Sequence, residues 1–186
     1  MVVAVAVVVL VVVNSLPGCR DRSVSAPDYI ATIKTNYGDM RIRLLTSQAP
    51  NTVDNFVRLA RDKFYDGLSF FEVVKPMGVL IGGRPLPGRE PKWTIPQEQN
   101  NVPFDRGTVA MWHPESEPDG NRCIFMIGLD ARPGFEANFT RFGRVVGGMD
   151  VLEKIANVET TGEGGNLAYT PLEQVTIRTI TVEEAK

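Results

Sequence analysis

Histidine occurs once and cysteine twice in 186 residues, which excludes Cys/His-rich zinc frameworks and any dense disulfide scaffold. Neither sign of charge is in excess: 20 basic residues stand against 22 acidic ones, net −2, with no long run of either. A nucleic-acid partner gripped through a basic face is therefore not expected. The one long apolar run, Met1–Val13, holds only Met, Val, Ala and Leu and is too short for a spanning helix, which takes about 20 residues. Apolar residues make up 43% of the chain, and with so small a net charge this excludes intrinsic disorder. Turn formers are plentiful, with 17 Gly and 13 Pro, so the chain should reverse often. The length fits one domain with a short appendage.

Met1–Val13 has the length of a signal-peptide h-region, although no Lys or Arg precedes it and the amino group alone supplies positive charge. Leu16-Pro17-Gly18-Cys19 follows and resembles the lipobox of bacterial lipoproteins, in which the cysteine receives lipid and becomes the new N-terminus. On that reading residues 1–18 are a signal peptide and 19–28 a tether lipidated at Cys19. The chain would be exported to the bacterial cell envelope and held on a membrane at its periplasmic or extracytoplasmic face. The alternative is an ordinary signal peptide with an incidental cysteine nearby. Acylation of Cys19 would leave Cys123 without a disulfide partner.

From Asp28 onward strands dominate. Tyr29–Thr35 and Met40–Leu45 flank a hairpin turn at Asn36-Tyr37-Gly38-Asp39, and Ile42 and Leu44 alternate with Arg41 and Arg43. Pro50–Arg61 predicts a helix: Pro50 suits its first turn, and Val53, Phe56, Val57 and Ala60 fall on one stripe. Strands are expected at Ser69–Val74, Val79–Ile81, Gly107–Trp112, Arg122–Gly128, Arg141–Val146 and Gln174–Val182, with a second helix at Met149–Asn157. In the last strand the apolar phase shifts from Val175/Ile177 to Ile180/Val182, which predicts a bulge or bend. Residues 84–106 form a long proline-punctuated connection of the kind that is often functional. Many short strands with two helices predict a mainly β fold, a closed antiparallel barrel with helices covering its ends.

Several motifs, in order, carry a family resemblance. Ala49-Pro50-Asn51-Thr52-Val53-Asp54-Asn55-Phe56 resembles the first-helix motif of cyclophilins. Phe64-Tyr65-Asp66-Gly67-Leu68-Ser69-Phe70 resembles the approach to their catalytic strand, and Ile81-Gly82-Gly83 is similar in part to their double-glycine turn. Trp93-Thr94-Ile95-Pro96 resembles a loop of bacterial members, and Phe142–Val151 is close to their late strand and helix. The resemblance runs from about Tyr29 to Val182. It implies an eight-stranded antiparallel barrel capped by two helices over residues 29–183, acting as a monomer on proline-containing polypeptide segments. The implied activity is peptidyl-prolyl cis-trans isomerisation, with no metal and no organic cofactor.

Rotation about an X–Pro bond loses amide resonance and meets a barrier of about 18–20 kcal/mol. A catalyst needs no covalent step. It gains by holding proline in an apolar pocket and by donating a hydrogen bond to the prolyl nitrogen as it pyramidalises, a contact made only in the transition state. In cyclophilins an Arg is that donor, and at its position this chain has Glu72. An ionised carboxylate cannot donate, and loss of one preorganised donor typically costs on the order of 10²–10³ in rate.

The implied substrate groove departs elsewhere too. Ile81 and Ile124 stand where the family has Gln, Met126 where it has a pocket Phe, and Trp112-His113 where it has small and polar residues. Phe135 and Phe139 occupy positions of a Leu and a His or Tyr; Phe71 and Val79 complete the implied substrate-binding set, and one residue is inserted around Lys75–Val79. Each position also has a plainer reading. Glu72 is then a rim acid paired with Arg84 or Arg122, His113 a solvated loop residue rather than a substitute donor, and Cys123 a buried thiol without a redox role. Two functions follow: an envelope-anchored isomerase of low intrinsic activity assisting extracytoplasmic folding, or an inactive module that binds apolar or proline-containing segments.

Overall fold

The computed structural model describes residues 28–114, 116, 122–164 and 168–185; the expected signal peptide, Cys19 and the tether as far as Pro27 lie outside them. Eight strands are formed: β1 Tyr29–Thr35, β2 Gly38–Leu44, β3 Ser69–Val74, β4 Val79–Gly82, β5 Thr108–Met111, β6 Phe125–Gly128, β7 Thr140–Gly147 and β8 Val175–Glu184. They close into an antiparallel barrel in the order β1-β2-β7-β5-β6-β4-β3-β8, so no strand is left as an edge. Two helices, α1 Pro50–Arg61 and α2 Met149–Ala156, complete the fold.

The stripe predicted on α1 is the buried one: Val53, Phe56, Val57 and Ala60 all join the barrel core. Phe56 is its centre, with ring centroids 5.3 Å from Tyr65, 5.7 Å from Phe125 and 5.1 Å from Phe142. Ala49 offers this helix no side-chain cap. Glu98 supplies one from the long connection, accepting from the Thr52 N–H at 2.7 Å and its hydroxyl at 2.6 Å, and from the Asn51 N–H and amide at 3.0 Å each. A carboxylate there also answers the helix dipole. Helix α2 buries Val151, Leu152 and Ile155, and Val151 sits so close to Gly38 in the β1–β2 turn that a Cβ there would approach it to 2.7 Å.

The phase shift in the last strand is a bulge. Lys34 of β1 faces Thr179 while Thr35 faces Ile177, leaving Arg178 as the extra residue. Several expected boundaries move by one to three residues. The second strand starts at Gly38 because the turn pairs Gly38 with Thr35, the fifth ends at Met111, and the sixth begins only at Phe125. Two one-turn helices were not foreseen, Lys75–Met77 and Phe135–Ala137. The first lies in the segment where the resemblance implies an inserted residue, and ends on Gly78 in a left-handed conformation at φ 61°.

The wall formed by β3, β4, β6 and β5 is apolar on both faces. Phe70, Val73, Leu80, Val109, Met111, Phe125 and Ile127 point into the barrel. Val74, Val79, Ile81, Ala110 and Met126 form a separate cluster with Phe104 on the other face. That second cluster carries the site.

Candidate active site

The strand register builds the floor of the site. Glu72 pairs with Ile81, Ile81 with Met126, and Met126 with Ala110, so four strands contribute one row across the wall. The usual strand spacing of about 4.8 Å puts the Glu72 and Met126 backbones roughly 10 Å apart. Glu72 reaches this face because Phe71 is an extra residue in the ladder: Phe70 faces Gly82, and Glu72 already faces Ile81. Phe70 therefore points inward while Phe71 packs with the outer cluster.

Around that row the structure gathers the sequence-predicted groove residues. Val79, Ile81 and Met126 are buried members of the outer cluster, with Phe71, Trp112, Ile124, Phe135 and Phe139 packed against them half-buried. Of the Phe125-Met126 pair, Met126 is the one facing the site. The Phe135 ring lies 5.1 Å from Phe104 and 5.5 Å from Phe139, making an aromatic wall. Trp112 and Ile124 also line an adjoining cleft of 290 Å³ together with Cys123, Arg122, Glu90 and Pro91. Sequence reading missed Val74, Ala110, Phe104 and Tyr169. Alternation along β3 and β5 signals the first two; Phe104 and Tyr169 arrive from loops with no local signal.

His113 corrects the expectation of a solvated loop residue. It is only 7% exposed, its ring 5.3 Å from Phe139, with Nδ1 2.9 Å from the Pro114 carbonyl and Nε2 2.6 Å from the Asn138 carbonyl. Neither ring nitrogen faces the groove as a free donor. The aromatic wall has a second tie in Arg141, whose side chain is fully buried. Its Nε donates to the Val102 carbonyl at 2.9 Å, and its terminal nitrogens donate to the carbonyls of Phe139, Glu136 and Asn100. One guanidinium thus joins the long connection, the Phe135–Ala137 turn and β7.

The double glycine holds β4 close over the core. A Cβ at Gly82 would meet Phe70 at 2.6 Å, and one at Gly83, where φ is 83°, would meet the Cys123 carbonyl at 2.8 Å. That carbonyl also accepts from the Tyr65 hydroxyl at 3.1 Å. Burial pushes the Cys123 thiol up to about 12, partly opposed by the nearby Arg122 charge, so the sulfur is inert at neutral pH. Of the two candidate partners for Glu72, the structure selects Arg84, whose terminal nitrogen lies 3.3 Å from the carboxylate.

The family model described as cyclophilin type peptidyl-prolyl cis-trans isomerase/CLD matches residues 30–182, most of the chain. The chain belongs to the cyclophilin family. It is similar to peptidyl-prolyl cis-trans isomerase B of Escherichia coli, 34% identical over 169 residues that cover 83% of this chain and all of that protein. A peptidyl-prolyl cis-trans isomerase of Acinetobacter baylyi is 31% identical over 165 residues, 83% of this chain and 87% of its own length. Among solved structures, a Cryptosporidium parvum cyclophilin type isomerase, crystallised in the presence of the dipeptide Ala-Pro, superposes with a TM-score of 0.72. That likeness, at 23% identity over 84% of this chain and 99% of the other, concerns the fold. The eight-stranded barrel with two helices is the cyclophilin fold, and the activity of this cyclophilin-type chain is peptidyl-prolyl cis-trans isomerisation.

Proposed function

We propose that this cyclophilin is a slow isomerase of extracytoplasmic polypeptides, anchored in the bacterial envelope by lipid on Cys19. The observation that carries the slow turnover is the groove row itself. Its apolar members, Ile81, Met126 and Ala110, are buried beneath the half-buried Phe71, Trp112, Phe135 and Phe139 and back an apolar site in which a proline ring can shed water, while the end that should donate to the prolyl nitrogen is a carboxylate. Hydrophobic capture of proline is retained and direct stabilisation of the twisted bond from β3 is lost. The aromatic wall of Phe135 and Phe139 supports binding of apolar segments flanking the proline. The envelope location is supported by the apolar Met1–Val13 run and the Leu16–Cys19 motif.

Isomerisation of a short Ala-Pro peptide, compared between the wild type and Glu72→Arg, tests the reading. The variant should turn over about tenfold faster or more, because a donor returns to the groove row. Wild-type turnover already equal to that of ordinary family members would sink it. If both proteins bind the peptide and neither turns it over, the chain is an inactive proline-binding module. Membrane partitioning of the wild type against Cys19→Ala tests the anchor, and equal solubility of the two would count against lipidation.

A further inference from the structure

The groove has a guanidinium after all, delivered from a different element. Arg84 follows the double glycine at the end of β4, and the chain's tight passage over Phe70 and Cys123 aims its side chain back across β3. There its guanidinium carbon rests 3.7 Å from the centroid of the Phe71 ring, and one terminal nitrogen is 3.3 Å from the Glu72 carboxylate. Phe71 belongs to the outer cluster and Glu72 ends the groove row, so the cation stands at the polar end of the apolar floor.

Three properties suit this cation to donate. A guanidinium has five N–H bonds lying in its own plane. Stacking on an aromatic face therefore leaves them directed sideways, and among the described residues Glu72 is its only polar partner. The bond to Glu72 is loose, since a charge-assisted contact is usually about 2.7–2.9 Å and this one is 3.3 Å. The Arg84 side chain is 59% exposed and Glu72 30%, so a peptide entering the groove can draw the guanidinium inward at little cost. His113 is spent on two carbonyls and does not compete for the role.

We propose that Arg84, stacked on Phe71 and tethered by Glu72, is the hydrogen-bond donor to the prolyl nitrogen in this groove. The assignment rests on the isomerase reading and specifies how its residual turnover arises. Glu72 then acts as the tether that keeps the cation at the groove, and the shared charge explains why the donor is weak.

The test is isomerisation of an Ala-Pro peptide by the full chain, the Arg84→Ala variant and the Arg84→Lys variant, with peptide affinity measured separately. Arg84→Ala should lower kcat on the order of 10²-fold while the peptide dissociation constant moves less than about threefold, and Arg84→Lys should recover part of the rate. Arg84 is exposed, and an unchanged thermal midpoint will show that the fold is intact. Wild-type kcat retained in Arg84→Ala would overturn the assignment and leave the isomerase reading standing. A parallel fall of rate and affinity would make Arg84 a binding residue and overturn its catalytic role. A wild type that binds the peptide without turnover would overturn both.

Discussion

Arg141 offers the sharpest test of how the groove is held. Replacement by Met keeps much of the side chain's bulk and removes every donor. Four main-chain carbonyls, on Asn100, Val102, Glu136 and Phe139, then lose a charged partner whose own side chain has no solvent exposure. Each such bond contributes about 1.5–3 kcal/mol when one partner is charged. Against that stands the cost of burying the guanidinium, visible as a pKa held below the ordinary arginine value by burial. Loop carbonyls can also recover water by moving outward. The net loss for Arg141→Met should be about 3–5 kcal/mol, since each carbonyl left unsatisfied costs at least about 1 kcal/mol. For a domain of this size that lowers the thermal midpoint on the order of 10 °C. Arg141→Lys should recover only part of the loss, because one ammonium cannot reach all four acceptors as the guanidinium fork does. Urea denaturation of both variants measures the effect. Peptide affinity should fall too, since the freed turn carries Phe135. A loss below about 1 kcal/mol in Arg141→Met would refute the reasoning, because four half-buried carbonyls cannot be stranded so cheaply.

Three further outcomes are expected. Glu98→Gln should destabilise the fold by about 1–2 kcal/mol in chemical denaturation, since it weakens the carboxylate cap on α1; an effect within error would show that the helix start does not need the charge. Glu136 accepts from the N–H groups of Phe104 and Gly134, which hold its carboxyl below the ordinary value of 4.5. A depressed folded pKa means that its contribution is present above that value and lost as pH falls through the folded pKa. The Phe104 and Gly134 amide resonances should therefore shift in acid in the wild type, with Glu136→Gln as the flat control, and wild-type signals that stay level would contradict the assignment. Cys123 should resist alkylation at about pH 8 in the native protein and react after denaturation, as read by the mass of its peptide; modification of the native protein would show that its burial is not maintained.

Periodicity made most of the barrel legible. Helix α1 and β3 fall on their predicted residues because an apolar stripe begins at Pro50 in the first and a short apolar run follows Gly67 in the second. The bulge at Arg178 was readable because an odd residue must reverse the apolar phase. The aromatic and aliphatic groove members were readable through the family resemblance. What stayed hidden depends on contacts far apart in sequence. Glu98 looks like any acid in a polar loop until it meets Thr52, and Arg141 looks like an outward-facing strand residue until the long connection and the turn before β7 close on it. His113 was misread for the same reason, because its burial comes from the turn at Asn138. The tilt of Glu72 toward Arg84 depends on the extra residue at Phe71, which alternation within β3 alone does not reveal.

The wall that is apolar on both faces has a consequence for failure of the fold. Val79-Leu80-Ile81 and Phe125-Met126-Ile127 are uncharged, rich in strand-forming residues and adjacent in the barrel. In the closed barrel every main-chain edge of these strands is paired, and both sets of side chains are covered. If closure is lost, the same segments present unpaired edges and two sticky faces at once, the composition from which intermolecular β-stacks grow. Destabilised variants of this chain should therefore be recovered as insoluble material, and a soluble yield reports on barrel closure as much as on synthesis.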